Sequence, residues 1–588
     1  MQFIRKHAAP LAALAVLPAA LAAPYLIPES PDSAIFRSGV LGCALLIAAA
    51  FPAWDALRRA SRRTLVCGLI WGLLLAGALG LGAELLVYNG LLSGMGSLLR
   101  RLAVPVMAAP LLGLVCARLM LAQPRAPARP MRMPLWGYML VLLLCWLPIL
   151  LAYFPGMLNY DFPGEYAQHL EGAYTTLHPL LHSALVNGVI TLGELLHSRT
   201  LGLLLMSVLQ MVLFAAALAY ACAFVQRRGA SLPVLAAMTA LFGLHPIFSV
   251  MALSMTKDTL FAAALLVLSL LVWEACEKPE AFFTSRKKAA LCVVVSIGTA
   301  LLRNNGIFAL ALMLPALLIA SRGWRRRAAL LGAACVGASA LVLLGLNLAL
   351  SPSAERTDFQ LYSLPAQQLV RAYNSGSMSE ADRVELESWY TSGEGLVVHP
   401  HLADPAKGYL DRDRIQREGG EFMALWARVG KTCAREYLEA FLMLNVGSWY
   451  PDDLSHSTIY PDVSYNDKGY LQTQEYDMTA DGFHTACLLP GVRNIIERIC
   501  RRNSYQKYPV ISLLFCPAAP FWVLLLSCAL LVARRRTRLL PAALGVMGVW
   551  LSYLLGPCTL PRYALPLFCL APPLLIASLL PDHKEVTP

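Results

Sequence analysis

The sequence predicts an all-α polytopic membrane protein with about fourteen transmembrane helices and a mainly α-helical extracytoplasmic domain. Hydrophobic residues make up 57% of the 588 residues and charged residues only 14%, whereas a soluble domain carries roughly 25% charged residues. The apolar residues form segments of about 16 to 25 residues, the length of a helical span and longer than a strand of a membrane barrel. Lys and Arg residues concentrate between these segments, as expected for connections at a membrane surface.

Fourteen apolar segments are the predicted spans, and none is predicted to be broken. They are residues 8–27, 34–54, 64–87, 101–122, 133–153, 200–224, 232–253, 258–274, 288–302, 305–320, 328–350, 509–533, 539–556 and 563–580. With a cytoplasmic N-terminus, the inner connections and tails carry 24 Lys and Arg residues and the short outer connections carry six. The positive-inside rule therefore predicts a multi-pass protein of the bacterial cytoplasmic (inner) membrane with both termini in the cytoplasm. Residues 1–27 also fit a cleaved signal peptide, an alternative that leaves the other spans in place.

Four regions follow from this topology. They are an N-terminal four-helix membrane region (1–132), a membrane core (133–351) with a first outer loop (154–199), an extracytoplasmic domain (352–508) and a C-terminal three-helix region (509–588). The stretch 178–197 is amphipathic, which predicts a helix at the outer interface. Residues 352–508 contain 16 Lys and Arg and 22 Asp and Glu residues, so the net charge of +12 comes from the membrane regions. The charge therefore does not predict a nucleic-acid partner.

The first outer loop carries the residues that we predict to be catalytic. Asp161 lies between aromatic residues and before a Pro-Gly turn that can point its carboxylate towards the membrane. A carboxylate in such a place can deprotonate a hydroxyl acceptor, and Glu165 is the alternative base. His178 and His182 follow in the same loop as supporting residues. The structural alternative for Asp161 is a helix N-cap or a solvated loop acid.

Basic residues at the outer ends of predicted spans are candidates for binding a lipid phosphate. Ionisable side chains at membrane depth are costly, and Arg can contact phosphate in a bidentate manner. The candidates are Lys257, Arg303 and Arg562, and the polar neighbours predicted to support them are Asp258, Asn304, Asn305 and Tyr563. The structural alternative for Lys257 and Asp258 is a pair at a helix start in which each charge neutralises the other. The alternative for Arg303 and Arg562 is a side chain that extends to the lipid headgroups.

The aromatic pair Trp449 and Tyr450 is a candidate platform for stacking on a sugar ring, with an interface belt or a domain core as the alternative. No cofactor is predicted. Asp452 and Asp453 could hold a divalent cation, but no spacing typical of a metal site supports it, so no protein metal site is predicted.

Three cysteines lie in the predicted extracytoplasmic domain, namely Cys433, Cys487 and Cys500. An odd number argues against a disulfide framework, and whether one pair is bonded stays open.

Taken in order, these motifs resemble the GT-C superfamily of membrane glycosyltransferases, in particular the protein O-mannosyltransferase and aminoarabinose-transferase type. In that type an early outer loop carries a catalytic acid, followed by a His-Pro motif, an interfacial helix and an Arg that opens the next span. The corresponding order here is Asp161 with Glu165, His178-Pro179, the stretch to His197, and Arg199. The resemblance covers residues 133–320, but the two carboxylates are four residues apart instead of adjacent, and four spans precede the shared core. The whole chain is also similar to uncharacterised bacterial polytopic membrane proteins.

These residues and the resemblance together predict an inverting glycosyltransferase that moves a sugar from a polyprenyl-phosphate donor to an extracytoplasmic envelope glycan, lipid or polymer. Asp161 would be the general base, and the basic residues would neutralise the departing lipid phosphate. The predicted partners are this donor, the acceptor and membrane lipid, without nucleotide or nucleic acid. The alternatives are a lipid-linked saccharide flippase or transporter, a non-catalytic envelope assembly protein, and an O-antigen ligase-like enzyme. For the ligase the first candidates are His399, His401, Arg412 and Arg414.

Overall fold

The computed structural model describes residues 1–26, 39–87, 90, 92, 95–123, 133–158, 161–176, 178–353, 357–451, 482–500 and 511–581. Over these residues the chain forms α-helices and short 3-10 helices, and its β structure is limited to isolated bridges. The all-α class predicted from the sequence is confirmed.

The helices are numbered in chain order. The N-terminal region contains α1 (Gln2–Lys6), α2 (Ala8–Ala22), α3 (Gly39–Arg59), α4 (Arg62–Val87) and α5 (Met95–Met120). The core contains α6 (Leu135–Ala152), α7 (Asp161–Glu171), α8 (Leu180–Leu195), α9 (Arg199–Gln226), α10 (Leu232–Leu244), α11 (Pro246–Leu253), α12 (Lys257–Glu277), α13 (Pro279–Phe283), α14 (Arg286–Leu301), α15 (Gly306–Ala320) and α16 (Arg325–Leu350). Next come α17 (Ser363–Ser375), α18 (Glu380–Glu387), α19 (Asp404–Gly408), α20 (Arg412–Thr432), α21 (Ala434–Leu444), α22 (Val446–Trp449) and α23 (Pro490–Cys500). The C-terminal region contains α24 (Ile511–Phe515), α25 (Ala518–Ala533), α26 (Pro541–Tyr553) and α27 (Leu565–Leu579).

The protein is a helical membrane protein. Six of the described helices are long and apolar enough to cross a membrane, namely α4, α5, α6, α9, α12 and α16, and there are seven spans if α10 and α11 count as one. Six further apolar helices are shorter, among them α15 and α27 with 15 residues each. At about 1.5 Å per residue, a helix of that length covers roughly 23 Å, less than the roughly 30 Å of a bilayer core. Helix length therefore supports fewer crossings than the fourteen predicted.

Helix α12 lies at the centre of the bundle. It packs against α9, α14, α26 and α27. Of its most apolar stretch of 18 residues, 94% are buried inside the protein. This burial explains why α12 is apolar on all sides instead of amphipathic. Its first residue is Lys257, whose side chain is 17% exposed.

The predicted span 232–253 is broken, which corrects the expectation of continuous spans. Helices α10 and α11 meet at His245 with a bend of 48°. The carbonyls at the end of α11 are satisfied by Gln210 of α9, whose Nε2 donates to the carbonyl oxygens of Met251, Ala252 and Ser254 at 3.1, 3.2 and 2.5 Å. At the bend itself, Nδ1 of His245 accepts a hydrogen bond of 3.1 Å from the Ile247 nitrogen, and its Nε2 donates to the Leu514 carbonyl at 3.0 Å. Side chains therefore satisfy backbone groups both at the break and at the end of α11.

Helices α17 to α22 form a polar unit with its own core, which we call the accessory domain (residues 357–451). Leu369, Trp389, Phe422 and Val429 are fully buried in this core, and the described residues of the domain are mainly α-helical, as predicted. Residues 482–500 pack elsewhere, because α23 contacts α6 and Phe483 belongs to the core of the membrane helices.

The C-terminal ends of α5 and α27 are joined by one arginine. Arg534 donates from Nη1 to the carbonyl oxygen of Leu579 at 2.7 Å and from Nη2 to that of Ala122 at 2.6 Å. Carbonyls at a helix C-terminus lack intrahelical donors and carry partial negative charge, so a guanidinium stabilises them.

We expect Arg534→Gln to lower the free energy of unfolding by about 2 kcal/mol, because hydrogen bonds from a charged donor are removed at two helix ends. Thermal melting of the detergent-purified protein measures this loss. Arg538→Gln is the matched control, since Arg538 is exposed. Equal melting temperatures for the two variants would contradict the role assigned to Arg534.

Candidate functional site

Asp161 begins α7, and the loop before it fixes its position. The Met157 nitrogen donates to the Leu253 carbonyl at 3.0 Å, and the Met255 nitrogen donates to the Met157 carbonyl at 2.9 Å. This pairing lays the loop that leads to Asp161 beside the segment that leads into α12. Nζ of Lys257 then donates a hydrogen bond of 2.8 Å to Oδ2 of Asp161. Backbone pairing therefore brings together two side chains that are 96 residues apart in the sequence.

Arg303 forms the second ion pair of the site. It lies between α14 and α15 and donates from Nη1 to Oδ1 of Asp258. Its guanidinium also lies 4.9 Å from the ring centroid of Tyr563 and 5.4 Å from that of Tyr553. Asp258 is buried and accepts a hydrogen bond of 3.1 Å from Thr256, whose side chain also caps the N-terminus of α12. The contacts with the rings and the carboxylate hold Arg303 in one orientation.

Arg562 joins the two carboxylates. Its Nη1 lies 3.2 Å from Oδ2 of Asp161 and 3.8 Å from Oδ2 of Asp258. Lys257, Arg303 and Arg562 therefore surround the two acids, and each acid has two cationic neighbours within 4 Å.

The accessory domain holds the segment that carries Arg562. The Ala403 nitrogen donates to the Pro557 carbonyl at 2.7 Å, and Nδ2 of Asn445 donates to the Leu554 carbonyl at 3.0 Å. Both contacts precede Arg562 by a few residues. The position of Arg562 thus depends on the docking of the accessory domain onto the membrane helices.

These side chains line a cavity of about 1140 Å³, large enough for a ligand beyond the size of a typical small molecule. The cationic wall consists of Lys257, Arg303 and Arg562 with the carboxylates Asp161 and Asp258, and the apolar wall consists of Phe308, Ala311, Leu312, Gly548, Leu551 and Leu555. The accessory wall consists of Gln360, Leu361, Asp404 and Lys407. The cavity therefore joins an anion-binding surface, an apolar surface and a hydrogen-bonding surface.

The cationic wall carries one excess positive charge, because three cations face two carboxylates. Burial would raise the pKa of the Asp161 carboxyl, but the charges of Lys257 and Arg562 outweigh burial and hold that pKa well below its usual range. Asp161 is therefore ionised at neutral pH, and in the unliganded site it is a weak base.

Nine of the predicted site residues line this cavity. They are Asp161, His178, Lys257, Asp258, Arg303, Asn304, Asn305, Arg562 and Tyr563. Two others, Glu165 and His182, lie beside it and pair with each other, with 2.8 Å between Oε1 of Glu165 and Nδ1 of His182. Both are buried between α7 and α8 and line no part of the cavity. Asp161 is therefore better placed than Glu165 to meet a ligand.

The predicted sugar platform lies outside the cavity. Tyr450 is fully buried, packs against Ala83 of α4, and donates from its hydroxyl to the Leu26 carbonyl at 3.2 Å. The carbonyl of Trp449 accepts a hydrogen bond of 2.8 Å from Nε1 of Trp522. Both aromatics thus join the N-terminal helices, the accessory domain and α25, which corrects their assignment to ligand binding.

The ligase candidates also line no part of the cavity. Arg414 lies over the ring of Trp389 at 3.8 Å and donates from Nε to Glu418 at 3.0 Å. Arg412 lies over the ring of Phe359 at 5.3 Å. Both arginines have structural contacts within the accessory domain, and His399 and His401 are likewise absent from the cavity lining.

Several lining residues were not singled out in the sequence. They are Thr176, Gln360, Asp404, Lys407 and Tyr553. The three-residue spacing of Asp404 and Lys407 is compatible with a pair on one helical turn, but it gives no sign that the pair faces a cavity shared with the membrane helices. Only the tertiary docking at Ala403 and Pro557 shows this.

Cys433 and Cys487 are free thiols, and the side chain of Cys500 lies outside the described residues. Within the described part of the chain, no group of three or more His, Cys, Asp and Glu side chains is placed to hold a metal ion. The predicted acids Asp452 and Asp453 also lie outside the described residues.

His178 gives the site a dependence on pH. Burial, together with the charge of Lys257, lowers the pKa of its imidazole. Below a pH of about 6.5 the unfolded chain binds a proton that the folded chain does not, so we expect stability to fall by at most about 1.4 kcal/mol per pH unit until the folded pKa is reached.

The melting temperatures of wild type and His178→Asn at pH 7.5 and 5.5 measure this contribution. We expect wild type to lose more stability than the variant over this interval. The acids Asp161 and Glu165 contribute at lower pH, because their folded pKa values lie below the ordinary range. An equal loss in both proteins would contradict the assignment to His178.

The family described as "Family of unknown function (DUF6020)" matches residues 169–587. This stretch contains His178, Lys257, Asp258, Arg303 and Arg562, and it begins after Asp161. No curated protein and no solved structure matches the chain.

Proposed function

The chain belongs to the DUF6020 family of unknown function, and we propose that it is a GT-C-like glycosyltransferase that uses a polyprenyl-phosphate-linked sugar. The observation that carries the proposal is one cavity in which Lys257, Arg303 and Arg562 surround two carboxylates, Asp161 and Asp258, next to an apolar wall. In this proposal the protein lies in the bacterial cytoplasmic membrane, and the cavity opens on the extracytoplasmic face. In this proposal the seven spans, together with α3, α14 and the shorter helices α2, α15, α25, α26 and α27, make up the fourteen crossings.

The apolar wall supports a lipid as the carrier of the sugar. It is formed where α15 and α26 pack together, and Gly548 of α26 allows the close approach of Leu312 and the backbone of Phe308. Phe308 and Leu551 nevertheless remain 52% exposed. Exposed apolar side chains that continue into a polar cavity suit a ligand with a hydrocarbon chain and a charged head.

The charge of the cationic wall supports a monophosphate. One excess positive charge matches the single negative charge of a sugar-phosphate diester, and binding leaves the wall neutral. A pyrophosphate would bring at least one further negative charge beside two carboxylates. The charge balance of the site therefore favours a polyprenyl monophosphate donor over a lipid-pyrophosphate donor.

The proposed reaction proceeds in one displacement. The acceptor hydroxyl oxygen attacks the anomeric carbon of the donor sugar, and the bond from that carbon to the phosphate oxygen breaks with inversion. Asp161 takes the proton of the hydroxyl, and the three cations stabilise the charge that develops on the departing lipid phosphate.

Donor binding also changes Asp161. The phosphate competes with Asp161 for Lys257 and Arg562, and a carboxylate that shares its cations with a phosphate has a pKa closer to the ordinary range. The weak base of the unliganded site thereby becomes a stronger base when the donor is present.

The experiment that tests this function is mass spectrometry of envelope glycans and glycolipids from a strain that lacks the gene. The strain is complemented with wild type, with Lys257→Met, or with the control Lys278→Met at the exposed far end of α12. We expect wild type and the control to restore a missing sugar and Lys257→Met to leave it missing at equal membrane abundance. If wild type restores no sugar, or if Lys257→Met restores it fully, the proposal fails.

A further inference from the structure

The accessory wall is a second polar surface in the same cavity. Lys407 lies at its centre, and its Nζ donates to Oε1 of Gln360 and to Oδ1 of Asp404, both at 2.7 Å. The side chain of Lys407 is buried, whereas that of Asp404 is 51% exposed. Lys407 and Asp404 balance each other in charge, so this wall has no net attraction for the phosphate that suits the cationic wall.

The backbone holds the two polar walls at a fixed separation. Ala403 immediately precedes Asp404 and bonds to Pro557, in the segment that leads to Arg562. An isolated antiparallel bridge between Leu402 and Cys558 continues this contact. The accessory wall is therefore anchored to the segment carrying one of the cations, and it is preorganised without a ligand.

The chemistry of the wall suits a neutral polyhydroxylated ligand. Among the described residues, Oδ2 of Asp404 accepts no hydrogen bond, and Nζ of Lys407 uses two of its three protons. A carboxylate oxygen that accepts and an ammonium that donates, side by side, match the two roles of neighbouring hydroxyl groups. Leu361 is 75% exposed at the same wall and offers an apolar surface to the carbon face of a sugar ring.

We propose that Gln360, Asp404 and Lys407 form a saccharide-binding subsite that recognises hydroxyl groups of a neutral sugar in the cavity. This inference rests on the proposed function only in its choice of a sugar as the substrate class. The sugar comes either from the acceptor or from the donor, and both present the same hydroxyl chemistry to the wall.

The test uses the full-length protein in detergent with two kinds of probe. Neutral methyl glycosides, followed by saturation-transfer NMR, report on the subsite, and native mass spectrometry with undecaprenyl phosphate reports on the cationic wall. The subsite variants are Asp404→Asn and Lys407→Met. The matched controls on α20 are Asp413→Asn and Lys431→Met, which alter exposed residues, and Lys257→Met alters the cationic wall.

We expect the subsite variants to weaken methyl glycoside binding roughly ten- to a hundredfold, because hydrogen bonds to charged groups are removed. Gln360→Leu, which alters no charge, should leave undecaprenyl phosphate binding unchanged, while Lys257→Met should weaken the binding of this lipid and leave methyl glycoside binding unchanged. Melting temperatures close to wild type exclude unfolding, and Gln360→Leu provides a third variant that leaves the Lys407–Asp404 pair in place.

A comparison of undecaprenyl phosphate with its mannosyl derivative identifies the source of the sugar. If Gln360→Leu weakens only the mannosyl lipid, the subsite holds the donor sugar, and if this variant affects neither lipid, the subsite holds the acceptor. The inference is overturned if no methyl glycoside binds wild type, if the subsite variants bind glycosides like wild type, or if Gln360→Leu loses the bare lipid as Lys257→Met does. Failure of wild type to bind undecaprenyl phosphate, with glycoside binding still abolished in the subsite variants, would reject the donor and retain the sugar subsite.

Discussion

Asp161→Asn is expected to abolish sugar transfer and at the same time to tighten the binding of polyprenyl phosphate. Removal of a general base costs roughly 10²- to 10⁴-fold in rate. Asparagine keeps the shape of the side chain but removes the charge that Lys257 and Arg562 neutralise at 2.8 and 3.2 Å. The cationic wall then carries two excess positive charges, so we expect the affinity for the anion to rise about tenfold, equivalent to about 1.4 kcal/mol.

Transfer is measured by the glycan profile of the complemented strain, and affinity by native mass spectrometry with undecaprenyl phosphate. Glu171→Gln is the matched control, because Glu171 is exposed at the far end of α7. Weaker lipid binding by Asp161→Asn would show that Asp161 organises the cations and does not compete with the phosphate. Unchanged transfer would reject Asp161 as the base.

The two opposite effects separate this mechanism from a structural role. A residue that only stabilises the fold lowers both activities when it is changed. Asp161 is placed to do something different. It pairs with the cations that the donor requires, and it becomes a stronger base only when the donor phosphate competes for those cations.

The sequence was sufficient to place the main site residues at one end of the bundle. Lys257, Arg303 and Arg562 each lie at the end of an apolar segment, and alternate crossings assign such ends to the same side. Their pairing with Asp161 and Asp258 was beyond sequence reasoning, because it depends on contacts such as Met157 with Leu253 between distant segments. Patterns of apolar spacing contain no information on these contacts.

The same limit explains the assignments that the structure corrected. Glu165 lies one helical turn after Asp161, so spacing alone could not show that one acid meets Lys257 and the other meets His182. The span containing His245 reads as one apolar segment, and the sequence does not show that His245 caps α11 and bonds to the carbonyl of the distant Leu514. The accessory wall was missed because its residues reach the cavity only through tertiary docking.

Arg303→Gln is expected to cause the largest loss of stability at the site, roughly 3 to 5 kcal/mol, because it leaves the buried carboxylate of Asp258 without its closest cation. Arg562 is 3.8 Å away and compensates only in part. The substitution also removes the guanidinium from beside the rings of Tyr553 and Tyr563. Thermal melting measures the stability, and undecaprenyl phosphate binding measures the function.

The double variant Arg303→Gln with Asp258→Asn separates these two effects. Removing the carboxylate eliminates the unpaired buried charge, so we expect the double variant to regain most of the stability. Binding of the lipid phosphate should stay weak although the cationic wall again carries one excess positive charge, because the guanidinium proposed to contact the phosphate is still missing. Recovery of both stability and lipid binding would show that Arg303 serves the fold alone. A double variant as unstable as Arg303→Gln would show that the contact of Arg303 with the two tyrosine rings, and not its ion pair with Asp258, stabilises this end of the bundle.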